Sequence, residues 1–222
     1  MSNPKRVGLL GGSFNPPHFG HINLARELRE KHQLDQVWWV PTKQNPDKLD
    51  VDLVEASFRV EMVRLSIQDD PDFFLCLEEL ERPSPSYTVD TLRILCEKYR
   101  QEKFFLLLGE DAALCLHTWK EPLEIVKLAT ILVGTRPCET RGLELGGDPI
   151  LLEAIRTGWT PIRQMDISSR SIRERLRQQQ KCSHLVPQNV LDYILLHSLY
   201  THLSSSIQMM HQKSKNNHQP LK

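Results

Sequence analysis

Two histidines near the amino terminus, His18 and His21, are the residues best suited to chemistry. They are three positions apart at the start of a predicted helix, which is expected to be exposed, and their side chains share one face of its first turn. A short apolar run, predicted to be a strand, ends just before them at Gly11 and Gly12. Glycines at such a turn let backbone N–H groups approach a phosphate, which then faces the positive end of the helix dipole. The stretch therefore predicts a polyphosphate site.

Common phosphate and metal patterns do not account for this stretch. The dinucleotide fingerprint G-x-G-x-x-G is absent, and so is the Walker pattern G-x-x-x-x-G-K-[ST]. A metal site needs a third ligand, which no nearby cysteine or aspartate supplies at suitable spacing. The remaining alternative is that the two histidines only cap or pack the start of a helix. The glycine turn favours phosphate binding over both alternatives.

The ten residues 12–21, GSFNPPHFGH, resemble the signature G-[ST]-F-[DN]-P-x-H-x-G-H of the nucleotidylyltransferase superfamily. Within it they are close to the bacterial nicotinate mononucleotide adenylyltransferases. The resemblance implies an enzyme that transfers AMP from ATP to nicotinate mononucleotide, giving deamido-NAD and pyrophosphate. It also implies that Mg²⁺ accompanies ATP, carried largely by the phosphates. The sequence shows no Ser-His-Asp set, Cys-His pair or acidic dyad, so a covalent enzyme intermediate is not expected.

A second motif, residues 167–173, reads ISSRSIR. Ser171 and Glu174 have capping-box spacing, which predicts a helix start with free N–H groups. Arg173 adds a guanidinium suited to bidentate phosphate contact. Alone, a serine-rich helix start is more often a structural cap, but this one resembles the family motif I-S-S-T-x-I-R. The resemblance implies a grip on ATP from the side opposite the histidines, although Arg170 replaces the threonine and can remove a hydroxyl contact or add a cation.

Three further matches concern the acceptor. Residues 41–48 resemble the loop P-x-x-x-P-P-H-K, with Asn45 and Asp47 in place of a proline and the histidine. Residues 86–92, SYTVDTL, are similar to a segment that lines the pyridine-nucleotide pocket in the family. Gly109 and Asp111, followed by Trp119, resemble a pattern in which the aspartate binds a ribose hydroxyl and the tryptophan stacks on the pyridine ring. Packing as a core anchor is at least as plausible for the tryptophan.

The resemblance covers about residues 6–200 and assigns three groups of site residues. The predicted catalytic residues are His18, His21 and Arg173. The predicted ATP-binding residues are Gly11, Gly12, Ser13, Phe14, Gly20, Gly109, Asp111, Arg136, Ser168, Ser169 and Ile172. The predicted acceptor-binding residues are Lys48, Tyr87, Thr88 and Trp119. No protein ligand for a metal is predicted.

The elements that would position these residues alternate between apolar strands and amphipathic helices. Strands are predicted at 7–10, 36–40, 73–77, 104–108, 131–133 and 162–165, with helices from about 19, at 54–68, from about 88 and after 111. Near-continuous apolar strands are typical of a parallel sheet covered on both faces, so an α/β fold of Rossmann-like, doubly wound type is expected. The loops that follow the strands should then converge on one edge of the sheet.

Composition limits the class of protein. The chain has 222 residues, of which 40% are hydrophobic and 25% charged, and residues 1–203 are expected to form one domain followed by a disordered tail at 204–222. Lys and Arg number 28, as do Asp and Glu, so neither nucleic acid nor an anionic membrane is expected as a partner. No apolar stretch approaches the roughly 20 residues of a membrane span. Five scattered cysteines in apolar segments indicate reduced core thiols and a cytoplasmic protein.

Other functions are weighed against this one. The same reaction on nicotinamide mononucleotide or on 4′-phosphopantetheine keeps the fold and changes only the acceptor. A non-catalytic adenine-nucleotide sensor is a different class, which the intact pair of histidines and Arg173 argue against. A hydride-transferring dehydrogenase is disfavoured because its glycine fingerprint is missing. The oligomeric state is not indicated by the sequence.

Overall fold

The computed structural model describes residues 3–43, 53–83, 87–135, 148–163 and 165–201, which form six strands and eight α-helices. The strands are β1 (Arg6–Gly12), β2 (Gln36–Pro41), β3 (Phe73–Leu75), β4 (Lys103–Gly109), β5 (Thr130–Thr135) and β6 (Trp159–Pro161). The helices are α1 (Phe19–Lys31), α2 (Ala56–Ile67), α3 (Thr88–Lys98), α4 (Glu110–Leu114), α5 (Pro122–Leu128), α6 (Pro149–Thr157), α7 (Ser169–Arg177) and α8 (Gln188–Leu196). A 3₁₀ turn at Leu116–Thr118 separates α4 from α5.

The strands form one parallel sheet in the order β3-β2-β1-β4-β5-β6. The order reverses between β1 and β4, where Leu9 lies opposite Leu106. Ligands of such sheets bind beyond the carboxyl ends of the strands at this reversal. Here those ends are Gly12 on β1 and Gly109 on β4. The predicted α/β class is confirmed. A ligand is therefore expected to bind at the loops that follow these two strands.

Alternate residues of the central strands enter cores on opposite faces of the sheet, as the two-residue period of a strand requires. On β4, Phe104, Leu106 and Leu108 pack with α3, α5 and α6 on one face. Phe105 and Leu107 pack with α1 and α2 on the other. Burial on both faces explains the near-continuous apolar runs of the sequence.

A third apolar cluster attaches the carboxyl-terminal part of the chain to α2. It includes Met62 of α2, Ile172 of α7 and Val190 of α8, with Tyr200 beyond α8. The helix that carries the second motif is therefore packed, through α2, beside the carboxyl end of β1. The assignment of 1–203 to one domain stays a prediction, and the predicted tail lies outside the described residues.

The sixth strand is where the sequence prediction is wrong. It was expected at 162–165, but β6 is Trp159–Pro161. Ile162 follows the strand and packs on the face of the sheet that is covered by α1. Its apolar character therefore reflects this packing and does not mark a strand. The preceding helix α6 was not predicted, although Asp148 at its N-cap and Pro149 at its first position are typical signals of a helix start.

The cysteines are less uniform than predicted. Cys182 is buried, Cys76 and Cys96 are half-buried, and Cys115 is exposed, so the expectation of five core thiols is wrong at Cys115. Cys138 lies outside the described residues. Of the helices that the structure describes, none has the length and apolarity required to cross a bilayer.

Candidate active site

The last residues of β1 and the loop after it place an exposed glycine and unpaired backbone donors at the carboxyl end of the sheet. A Cβ at Gly11 would meet nothing within 4 Å, so a ligand can approach the backbone there. Phe14 adopts a left-handed conformation (φ 46°) that costs roughly 1–2 kcal/mol for a residue other than glycine. Burial offsets this, because its ring packs 5.1 Å from Trp39. Within the described part of the chain, the Ser13 and Phe14 N–H groups donate to no protein group, which suits an anion site.

The two histidines form a stacked pair, with ring centroids 3.7 Å apart. The backbone N–H of His18, the N-cap of α1, donates to Nδ1 of His21 at 3.2 Å. Nδ1 of His21 is thus an acceptor, and its proton lies on Nε2, which can donate to a ligand.

The histidines are less exposed than predicted. His18 is only 6% exposed, and burial lowers its pKa to about 4. Burial, and then the neighbouring His18, also lower the pKa of His21. The expectation of an exposed helix start is wrong for His18, whereas His21 is half-buried. The first turn is also joined to the segment ahead of α8, because the Phe19 N–H donates to the carbonyl of Leu185. Both imidazoles are neutral at pH 7 in the free protein, so each acts as a hydrogen-bond donor and not as a cation.

The second motif docks directly onto this loop. Ser169 Oγ donates to the Pro16 carbonyl at 2.8 Å, and Arg173 Nη1 donates to the Asn15 carbonyl at 2.9 Å. Arg173 is 7% exposed, so its contact with the loop is buried. The predicted convergence of the two motifs is present, and Arg173 has a structural contact in addition to any contact with phosphate.

The start of α7 differs from the prediction by one turn. Ser168 is the N-cap, and its Oγ accepts from the Ser171 N–H at 3.1 Å. The capping box expected from Ser171 and Glu174 is therefore wrong, since Ser171 already lies inside the helix. Arg170 is exposed on the first turn of α7.

The other predicted ATP-binding residues differ in what they can offer. The side chains of Phe14 and Ile172 are 1% and 0% exposed, so only their backbone atoms could meet a ligand. A Cβ at Gly20 would lie 3.0 Å from the His18 ring, which explains the need for glycine there. Gly109 is the N-cap of α4, and Asp111 is exposed in its first turn. The predicted contacts Arg136 and Lys48 lie outside the described residues.

Of the predicted acceptor residues that the structure describes, two lie at the start of α3 and the third packs against the same core. Tyr87 is its N-cap and Thr88 its first residue, while Lys120 Nζ lies 4.7 Å above the Tyr87 ring and 3.0 Å from Asp90. Trp119 follows the 3₁₀ turn, half-buried, and packs against the core that contains α3 and α5. Both interpretations of Trp119, core anchor and stacking surface, are compatible with this position.

Three residues that hold the site together were missed by sequence reasoning. Asn15 is fully buried, and its Oδ1 accepts from the Tyr200 hydroxyl at 2.8 Å. Arg59, 1% exposed on α2, donates to backbone carbonyls of the loops after β1 and β2. The signal for Arg59 was available, since it shares the buried face of α2 with Met62 and Val63.

Comparison with known proteins defines first the class of protein. The cytidylyltransferase-like family matches residues 9–175. Two solved structures of the Plasmodium falciparum nicotinic acid mononucleotide adenylyltransferase share the fold. The one complexed with NaAD has a TM-score of 0.69 at 22% identity, and the one complexed with APC has 0.68 at 20%, each covering 88% of this chain and 97% of its own. The protein is a nucleotidyltransferase.

Sequence relatives narrow the class to a family. A probable nicotinate-nucleotide adenylyltransferase of Salinibacter ruber is 37% identical over 87% of this chain and 97% of its own length. The nicotinate-nucleotide adenylyltransferase of Bacillus subtilis is 34% identical over 88% of this chain and 98% of its own length. The chain belongs to the nicotinate-nucleotide adenylyltransferase family.

Proposed function

We propose that the protein transfers AMP from ATP to nicotinate mononucleotide, producing deamido-NAD and pyrophosphate for NAD biosynthesis. The observation that carries this proposal is the stacked, neutral pair His18 and His21 beside the open N–H groups of Ser13 and Phe14, at the reversal point between β1 and β4. Membership of the nicotinate-nucleotide adenylyltransferase family supports the choice of acceptor.

The reaction requires positioning more than protein nucleophiles. A 5′-phosphate oxygen of the mononucleotide attacks the α-phosphorus of ATP in line, and the bond to pyrophosphate breaks. The two anions must be held close together while negative charge spreads over the transferring group. Donors fixed before the substrate arrives stabilise that charge without reorganisation. His21 Nε2–H and the Ser13 and Phe14 N–H groups are donors of this kind.

The predicted helix and cation contacts have supporting roles in this mechanism. Arg173 donates a hydrogen bond to the Asn15 carbonyl and also places a positive charge behind the loop after β1. Ser168 and Ser169 place the start of α7 beside the same loop. On the acceptor side, Tyr87, Thr88 and Trp119 provide the surface proposed for the pyridine nucleotide.

We propose that Mg²⁺ enters with ATP as part of the substrate complex. Among the described residues, no group of three or more His, Cys, Asp and Glu side chains could hold a metal ion. We therefore propose that phosphate oxygens and water supply most of the ligands of Mg²⁺, since this ion keeps several waters and takes few protein ligands. Bound there, Mg²⁺ would neutralise charge on the departing pyrophosphate. The reaction is proposed to take place in the cytoplasm.

The test is release of pyrophosphate from ATP and Mg²⁺ with nicotinate mononucleotide or nicotinamide mononucleotide as acceptor, measured side by side. The proposal predicts release with nicotinate mononucleotide and a strong preference for it. Comparable rates would show a dual-specificity enzyme of the same fold. No release with either acceptor, together with tight ATP binding, would contradict the proposal and favour a nucleotide sensor or another acceptor such as 4′-phosphopantetheine.

A further inference from the structure

Arg59 is a buried cation whose hydrogen bonds, within the described part of the chain, all go to backbone carbonyls. Its Nη1 donates to the carbonyls of Ser13 at 2.8 Å and Thr42 at 2.7 Å, its Nε to Val54 at 3.1 Å and its Nη2 to Lys43 at 3.3 Å. No carboxylate of the described residues pairs with it. Burial lowers the pKa of the guanidinium, yet an arginine side chain stays charged.

The contact with Ser13 sets the direction of a neighbouring donor. In a trans peptide the C=O and the following N–H point in opposite directions. With the Ser13 carbonyl directed at Arg59, the Phe14 N–H points away from it, and no described protein group accepts that N–H. The left-handed φ of Phe14 fixes the turn at the same peptide. Arg59 therefore presents an N–H donor from the loop that carries the phosphate signature.

The contacts with Thr42 and Lys43 join a second loop to the first. These residues follow β2, whose neighbour in the sheet is β1, and the Thr42 N–H donates to the Gly12 carbonyl at 2.9 Å. Lys43 Nζ then donates to the Arg82 carbonyl at 3.0 Å, in the segment that precedes α3. One guanidinium thus holds the loops after two adjacent strands in a fixed relation.

We propose that Arg59 is a positioning residue for the polyphosphate of ATP. It orients the Ser13–Phe14 peptide so that the Phe14 N–H meets a phosphate oxygen. The charge of Arg59 lies behind that peptide, and among the described residues no carboxylate pairs with it. The inference rests on the proposed function for the identity of the nucleotide. It concerns ATP only and makes no use of the acceptor.

The test compares Arg59→Gln and Arg59→Lys with Arg64→Gln, a matched control on the same helix whose arginine is exposed and pairs with Glu61. Calorimetry measures binding of ATP, inorganic tripolyphosphate and adenosine. Arg59→Gln should weaken ATP and tripolyphosphate about tenfold or more, since a misplaced donor loses its contact, and leave adenosine within about twofold. The affinity of Arg59→Lys for ATP and tripolyphosphate should lie between those of the wild type and Arg59→Gln. Lysine keeps the positive charge but loses the several N–H donors of the planar guanidinium. Arg64→Gln should match the wild type.

Wild-type binding of ATP and tripolyphosphate by Arg59→Gln would overturn the proposal. An equal loss of all three ligands would also overturn it, since that is the result expected of a purely structural arginine. These binding measurements contain no acceptor. If pyrophosphate release with nicotinate mononucleotide fails, the effect of Arg59→Gln on ATP binding can therefore still be interpreted.

A measurement on the wild-type protein covers the case in which Arg59→Gln does not fold. Tripolyphosphate is titrated into isotopically labelled protein while the backbone amide signals are followed by NMR. The Ser13 and Phe14 amides should shift among the most, as expected for N–H groups that gain an anionic acceptor. Unchanged signals from these two amides, with large shifts elsewhere, would contradict the proposal.

Discussion

The phosphate side and the acceptor side of the site are built differently. Four polar residues around the loop after β1 are buried: Asn15, His18, Arg59 and Arg173 are at most 7% exposed. The charged groups around Tyr87 on the acceptor side are more exposed: Lys120 pairs with Asp90, and their side chains are 41% and 31% exposed. Only the contact of Thr91 with Glu79, further along α3, is buried there among the described residues. Exposed pairs contribute about 0–1 kcal/mol, whereas a buried polar group that loses its partner costs about 1–3 kcal/mol.

This difference separates two kinds of mutational effect. Donors for the ATP phosphates must be fixed in advance to stabilise the transition state, and here they are fixed by burial. Substitutions on the phosphate side should therefore change turnover and folding stability together. On the acceptor side, binding of the mononucleotide should change with little effect on folding, unless the side chain also belongs to a core.

The largest effect is expected from His21→Asn. The Asn Oδ1 can replace Nδ1 as acceptor for the His18 N–H, while the donor at Nε2 is lost. Turnover should fall about 10²–10³-fold, the usual cost of one removed donor to a developing oxyanion. Steady-state pyrophosphate release measures it, with the exposed His184→Asn as control. Near-wild-type turnover of His21→Asn would refute the assigned role.

Stability against pH tests the burial of His18. Its pKa is about 4 in the folded protein and 6.5 in the unfolded chain, which therefore binds more protons between these values. The free energy of unfolding should fall as the pH drops from 6.5 to 4, by about 3 kcal/mol from this residue. Denaturant unfolding at several pH values measures it, with His18→Asn as comparison. If the variant keeps the wild-type slope, His18 is not the titrating group.

Trp119→Ala distinguishes stacking from packing on the acceptor side. If the indole stacks on the pyridine ring, the KM of the acceptor should rise about tenfold while the KM of ATP changes little. Trp159→Ala is the matched control, because Trp159 is also half-buried against the same core cluster. It should lower stability without a selective change in KM. Equal effects of Trp119→Ala on both KM values would favour the core anchor.

The smallest effect is expected from Lys120→Met. The variant removes an exposed ion pair with Asp90 and a cation above the Tyr87 ring. Stability should change by less than about 1 kcal/mol, as should that of Lys127→Met, which breaks the exposed pair with Glu124. Thermal unfolding of both variants measures it. A much larger loss for Lys120→Met would mean that the acceptor side is as rigid as the phosphate side.

Local sequence patterns were sufficient to predict most of the strands and the position of the site at their carboxyl ends. Apolar runs of the right length predicted five of the six strands, and the glycines and histidines at 11–21 marked the end of β1. Because parallel strands end at one edge, the convergence of the two motifs followed from the order of elements alone. The sixth strand was missed since Trp159–Pro161, an edge strand, carries no apolar run of its own.

What sequence reasoning missed depends on contacts between distant segments. The first turn of α1 is joined to chain just before α8 by the hydrogen bond from the Phe19 N–H to the Leu185 carbonyl, and Arg173 donates to a carbonyl 158 positions earlier. Arg59 contacts four carbonyls from three separate segments. A pattern of residue types along one element carries no information about such partners.

The most direct test of the account is a crystal structure of the protein with a non-hydrolysable ATP analogue and Mg²⁺. Phosphate oxygens should lie about 3 Å from His21 Nε2 and from the Ser13 or Phe14 N–H, and the contact between Arg59 and the Ser13 carbonyl should be retained. Phosphates bound elsewhere, with the histidine pair and the loop after β1 left empty, would contradict it.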